Sequence, residues 1–168
     1  ANKDYIAQRY TDVGSSARIA NDDDPGMLMM KGGYFPEDSN AWDAKVQEKY
    51  FRCPSDSSNY EGSNVGNNYI SYWAFFPGEG SAYVGSSYWL FQTARALIGR
   101  DNPGGTIFTE WNKQLAINVL GAGKTSNHPT TMNALYLGGH VAGKPADATT
   151  MGYAYVGQIA KFTDDIQL

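Results

Sequence analysis

The side chains able to do chemistry are few. The chain has one cysteine, Cys53, and two histidines, His128 and His140. A single cysteine excludes an intrachain disulfide and a protein-only thiolate cluster. Cys53 follows Phe51-Arg52 and reads as a half-buried small hydrophobe rather than a reactive thiol. The two histidines flank the stretch Asn133–Leu137. A zinc site needs three or four ligands at suitable spacing. Glu110 and Asp147 are available carboxylates, but nothing in the spacing selects them, so no metal ligand is assigned. Asp22-Asp23-Asp24 resembles half of a calcium loop but lacks the D-x-[DN]-x-[DN]-G pattern and its late Glu. Three carboxylates at a helix C-terminus oppose the macrodipole, which keeps calcium as the only ion in view. A plain turn is expected there, and no cofactor.

Other chemistries fail on their spacing. Gly121-Ala122-Gly123-Lys124-Thr125 imitates the end of a P-loop, but the first glycine of that motif would fall on Asn118, and Pro129 blocks a following helix. G-x-G-x-x-G and G-x-S-x-G are both absent. Glu37/Asp38 and Asp164/Asp165 are adjacent pairs that diverge, as on a solvated face. A hydrolytic centre of Glu110, His128 and His140 would need hydrogen-bond reach that the sequence does not dictate. The chain therefore reads as non-enzymatic. An aromatic patch includes Tyr69, Tyr72, Trp73, Phe75, Phe76, Tyr83, Tyr88 and Trp89. Half of it must be core. The remainder, with Trp73 and Trp89 foremost, is suited to stacking on sugars or packing on a partner protein.

The elements that must position these residues follow from periodicity. Ile6, Tyr10, Val13, Ala17 and Ala20 place an apolar stripe on a helix over 3–20, and Asn21 to Gly26 ends it. A second helix fits 41–50, with Asn40 as N-cap and Trp42, Val46 and Tyr50 on one face. Residues 55–68 read as a loop, and Tyr69 to Phe76 as a strand. Residues 88–98 suggest a short helix. Thr106–Trp111 and Gln114–Leu120 read as strands, Gly121–Pro129 as a loop, and Tyr153–Phe162 as a last strand. Asn133–Leu137 and His140–Lys144 form a hairpin around Gly138-Gly139, a pair suited to a type I′ turn. The order gives an α+β fold: an N-terminal helix packed on an antiparallel sheet. His128 is expected to latch the 121–131 loop to that hairpin by hydrogen bonds.

The whole chain supports this frame. Its 168 residues suit one domain with a sizeable core. A net charge of −4 argues against nucleic acid as a partner. Aromatics at 14% argue against disorder. No run of 18 apolar residues spans a membrane.

Three ordered phrases resemble a known family. Phe51-Arg52-Cys53-Pro54-Ser55-Asp56 is similar to an F-x-C-P-S-D phrase, followed by Asn68-Tyr69-Ile70-Ser71-Tyr72. Asn102-Pro103 leading to Thr106-Ile107-Phe108-Thr109-Glu110 is similar to a strand phrase ending in Asp or Glu. His128, nine intervening residues, then Gly138-Gly139-His140-Val141 resembles the H-x9-DG motif of prepilin-like, type II secretion pseudopilin-like proteins. Gly138 stands where that family has Asp, and a role needing a carboxylate there is not carried over. The resemblance implies a pseudopilin-like head over 1–168, with leader and hydrophobic anchor helix absent from this sequence. It implies assembly with other pseudopilin-like subunits or envelope proteins. Membrane contact would come only through the absent helix, at the periplasmic or extracellular side of an inner-membrane-anchored precursor. His128, Gly138, Gly139 and His140 would be the structural motif, with Trp73, Trp89 and Glu110 as candidate binding positions. The alternative is a cell-surface carbohydrate- or protein-binding module using exposed aromatics.

Overall fold

The computed structural model describes residues 15–18, 44–61, 69–77, 81–87 and 90–165. Among the described residues five strands form one antiparallel meander: β1 (Ser15–Arg18), β2 (Tyr69–Phe75), β3 (Thr106–Glu110), β4 (Thr131–Tyr136) and β5 (Val141–Pro145). Helix α1 (Ala44–Phe51) precedes β2, and α2 (Lys113–Leu120) joins β3 to β4. Helices α3 (Ala148–Met151) and α4 (Val156–Thr163) follow β5. The α+β reading with an antiparallel sheet holds.

Strand β2 is the spine because both of its faces are covered. Alternation sends Tyr69, Trp73 and Phe75 to one side and Ile70 and Tyr72 to the other. On the first side they meet Trp111, Met132, Leu115 and Ala116 of α2, and Ile159 and Ala160 of α4. Trp111 centres this layer. Its ring stands edge-on to Trp73 at 4.9 Å, and its indole N–H donates to the Ile70 carbonyl at 2.7 Å. On the second side Val46 and Phe51 of α1 pack on Ile70, with Tyr50 and Tyr72 alongside. Strand β5 closes the sheet as an exposed edge, ending in Pro145.

Several expected elements differ, each for a local reason. The helix expected over 3–20 is strand at Ser15–Arg18, where pairing with β2 outweighs the apolar stripe; 3–14 and 19–20 lie outside the described residues. The strand expected at Gln114–Leu120 is α2. Asn112 caps it, its side chain accepting from the Leu115 amide at 3.0 Å, and burial of Leu115 and Ala116 overrides the β-branched Ile117 and Val119. The last expected strand is α4, whose buried Gly157, Ile159, Ala160 and Thr163 carry the helical period. Residues 90–98 are bends and turns with a Val84–Phe91 bridge, not helix.

The hairpin is present, but its loop is not a two-residue type I′ turn. Leu135 pairs with Val141, and the Tyr136 amide donates to the His140 carbonyl, leaving Leu137, Gly138 and Gly139 as the loop. Only Gly139 of these glycines has a left-handed φ, at 86°. The Leu137 and Gly138 amides donate to Gly105 and Pro103 carbonyls, so the tip is fixed by the segment ahead of β3.

Candidate functional site

Cys53, Glu110 and His128 converge on the α1 face of the sheet. They come from three segments: the turn after α1, the end of β3 and the loop before β4. The Cys53 Sγ lies 3.5 Å from His128 Nε2 and 3.6 Å from Glu110 Oε1. His128 Nε2 lies 2.9 Å from the same Glu110 oxygen. Cys53 and Glu110 are buried, and the His128 side chain is 29% exposed.

Each member is held by its own segment. Cys53 begins a turn closed by the Asp56 amide on its carbonyl at 2.9 Å. The Asp56 carboxylate then accepts from the Ser58 and Asn59 amides and from the Ser71 hydroxyl, at 3.0, 2.7 and 2.6 Å. That stitches the Cys53 turn to β2. Asn59 reaches across to the His128 loop, donating to the Thr125 carbonyl and the Asn127 side chain at 2.6 and 2.9 Å. Asn127 donates onward to the Ser71 carbonyl at 2.7 Å. Asp56, Asn59, Ser71 and Asn127 are all buried, and in this network their polar groups are paired, as burial demands. Glu110 is fixed from β4: the Asn133 amide and side chain donate to its oxygens at 3.0, 3.1 and 3.2 Å.

The cluster fronts a cavity of about 680 Å³ whose other walls include Tyr72, Phe108, Leu135 and Val141. That volume lies within the usual range of small-molecule sites, and an apolar lining with a few convergent polar groups is their usual chemistry. Electrostatically, burial pushes the Cys53 thiol up; the Ser55 backbone opposes this and the Glu110 charge adds to it. Tyr72 is pushed up in the same way, by burial first and then by its position beside Cys53 and Glu110. A thiol held protonated is a poor nucleophile. The geometry agrees. In a nucleophile–base–carboxylate relay the carboxylate engages the imidazole nitrogen opposite the nucleophile. Here thiol and carboxylate meet on one nitrogen.

The positions picked out by sequence fare unequally. Glu110 and His128 meet; His140 does not join them, because it stacks on Tyr136 at 4.3 Å at the hairpin end. His128 meets Glu110, which Asn133 of β4 holds, so its tie to the hairpin runs through that carboxylate. Trp73 is not an exposed platform but a core residue at 9% exposure. Trp89, and the Asp22–Asp24 run considered for calcium, lie outside the described residues. Cys53, set aside as a small hydrophobe, is buried but sits inside the cluster. Asp164 is not on a solvated face: its carboxylate is buried against Arg95. Nothing in the sequence marks Asn59, Asn127 or Asn133 as site residues. Among the described residues no helix is long and apolar enough to cross a membrane. No family model matches the chain, and neither a curated protein nor a solved structure does.

Proposed function

We propose that this chain is the head of a pseudopilin-like envelope protein that works by assembly or display rather than by catalysis. In this reading it lies on the periplasmic or extracellular side and is anchored by a hydrophobic helix of the precursor. Other pseudopilin-like subunits or envelope proteins are its partners. One observation supports it above the rest. The three phrases that carry the resemblance each deliver one member of a single cluster: Cys53 from F-x-C-P-S-D, Glu110 from the strand phrase, His128 from the H-x9 phrase. Phrases that matched by accident would have no reason to meet in space. The carbohydrate-binding alternative loses Trp73 to the core.

The test is to express the full-length native gene with and without a prepilin peptidase. The expected result is a membrane-fractionating precursor, shortened only when the peptidase is present. A full-length product that is never processed and carries no apolar run of about 20 residues ahead of this chain overturns the proposal.

A further inference from the structure

We propose that Cys53, Glu110 and His128 bind one zinc ion. The inference does not depend on the envelope reading. It rests first on convergence: the three ligand atoms lie within 4.8 Å of one another, from three segments far apart in sequence. At ordinary Zn–S and Zn–N lengths, tetrahedral geometry puts a sulfur and a nitrogen ligand about 3.5 Å apart. The Cys53 Sγ and His128 Nε2 are separated by 3.5 Å. Cys53 Sγ and Glu110 Oε1, at 3.6 Å, fit the same figure, while His128 Nε2 and Glu110 Oε1, at 2.9 Å, must part by about half an ångström on binding.

Second, a shared centre explains what a relay does not. Both Cys53 and Glu110 converge on Nε2, which leaves no relay but gathers three donor atoms about one point. Third, the outer supports are those a metal site uses. Asn133 orients the Glu110 carboxylate from two donors, and the Asp56–Asn59–Asn127 network holds the two loops in register.

Ligand chemistry selects the ion. Thiolate, imidazole and carboxylate together suit zinc. Calcium wants six to eight oxygens, and this cluster offers one carboxylate. On binding, the thiol proton leaves to solvent and the sulfur takes the ion as thiolate. Three protein ligands leave a fourth position, and all three residues line the apolar cavity. A water or a ligand from that cavity would complete the shell, the open arrangement seen in non-structural zinc sites.

The experiment uses the whole chain, stripped with chelator and then titrated with zinc alone or cobalt(II) alone. One zinc per chain should survive gel filtration. Cobalt should give a thiolate-to-metal charge-transfer band, which only Cys53 can supply because it is the sole cysteine. Zinc should also slow modification of Cys53 by a thiol reagent at least tenfold in the unaltered protein, which needs no variant to fold. Asn133→Ala should weaken zinc by roughly 10- to 100-fold. Failure to retain zinc, a cobalt complex without the sulfur band, or a thiol reaction indifferent to zinc overturns the proposal and leaves a hydrogen-bonded cluster.

Discussion

Asn133 grips Glu110 with both backbone and side chain. Its amide donates to Oε2 at 3.0 Å, and its Nδ2 lies 3.1 and 3.2 Å from the two carboxylate oxygens. Bonds to a charged acceptor contribute about 1.5–3 kcal/mol each at most, and the backbone donor survives any side-chain change. Asn133→Ala should therefore cost about 1–3 kcal/mol in denaturant unfolding. Gly143, on the neighbouring strand, reports on the same contact. A Cβ there would stand 2.9 Å from Asn133 Oδ1 and 3.1 Å from Thr131 Cγ2. Gly143→Ala must push the Asn133 side chain, so the two substitutions should be clearly non-additive in a double-mutant cycle. Strict additivity would mean that Gly143 does not act through Asn133.

The buried Arg95–Asp164 pair predicts a larger loss. Nη1 and Nη2 meet the two carboxylate oxygens at 2.7 and 3.0 Å, and the Thr106 amide adds a third bond at 2.8 Å. Both side chains are almost wholly out of water, at 0% and 3% exposure. Asp164→Asn leaves the guanidinium buried without its counter-charge, a change that costs about 3–5 kcal/mol. The exposed Glu48–Arg52 pair is the control: Glu48→Gln should cost about 0.5 kcal/mol or less. Equal losses in the two variants, by chemical unfolding at one pH, would refute the burial argument.

How far the sequence disclosed this molecule depends on the range of the interaction that decides each part. Strand β2 was legible because seven consecutive residues carry the β signal themselves. The hairpin was legible from its turn glycines, though the tip was misread because the bonds to Pro103 and Gly105 are long-range. Helix α2 was read as a strand because its cap, Asn112, is also tied to Thr150 and Tyr153 carbonyls, which sequence does not place nearby. The site divides the same way. Glu110 and His128 were picked out as titratable groups, but Cys53 looked inert because its two companions lie 57 and 75 residues on. The asparagines of the network gave no signal, since Asn in a Ser/Asn/Gly-rich stretch reads as loop.

The pH dependence of stability can be signed at Asp101. Burial by itself raises this carboxyl, but the Arg100 guanidinium and the amides of Ala96 and Leu97 outweigh it and hold it below the usual carboxylate range. The contacts are close, at 2.8, 2.9 and 3.0 Å. A depressed folded value means that protonation is harder in the folded chain than in the unfolded one. The stabilisation is complete above the unfolded value of about 3.9 and falls away as pH drops through the folded value. Asp101→Ala should therefore lower stability at neutral pH and flatten the acid limb of the denaturant midpoint as pH falls through the unfolded value toward the lower folded one. An acid limb as steep as that of the parent would assign the acid sensitivity to other carboxylates.

The two glycines at the hairpin tip should fail for different reasons. Gly139 has φ 86° and open space where a Cβ would go. Gly139→Ala thus meets a backbone penalty alone, about 1–2 kcal/mol. Gly138 has no left-handed φ, but a Cβ there would stand 3.1 Å from both the Cβ and the carbonyl oxygen of Pro103. Its amide also donates to that carbonyl at 2.8 Å, so the contact cannot open freely. Any side chain at 138, including the Asp that the resembled motif carries, must therefore shift Pro103 by a few tenths of an ångström. Gly138→Asp should lower the melting temperature, and Pro103→Gly, which removes the contacting Cβ and leaves the backbone acceptor, should recover part of the loss. Gly139→Ala should show no such recovery. If Pro103→Gly rescues neither or both, the tip is not held by the Pro103 contact in the way its geometry requires.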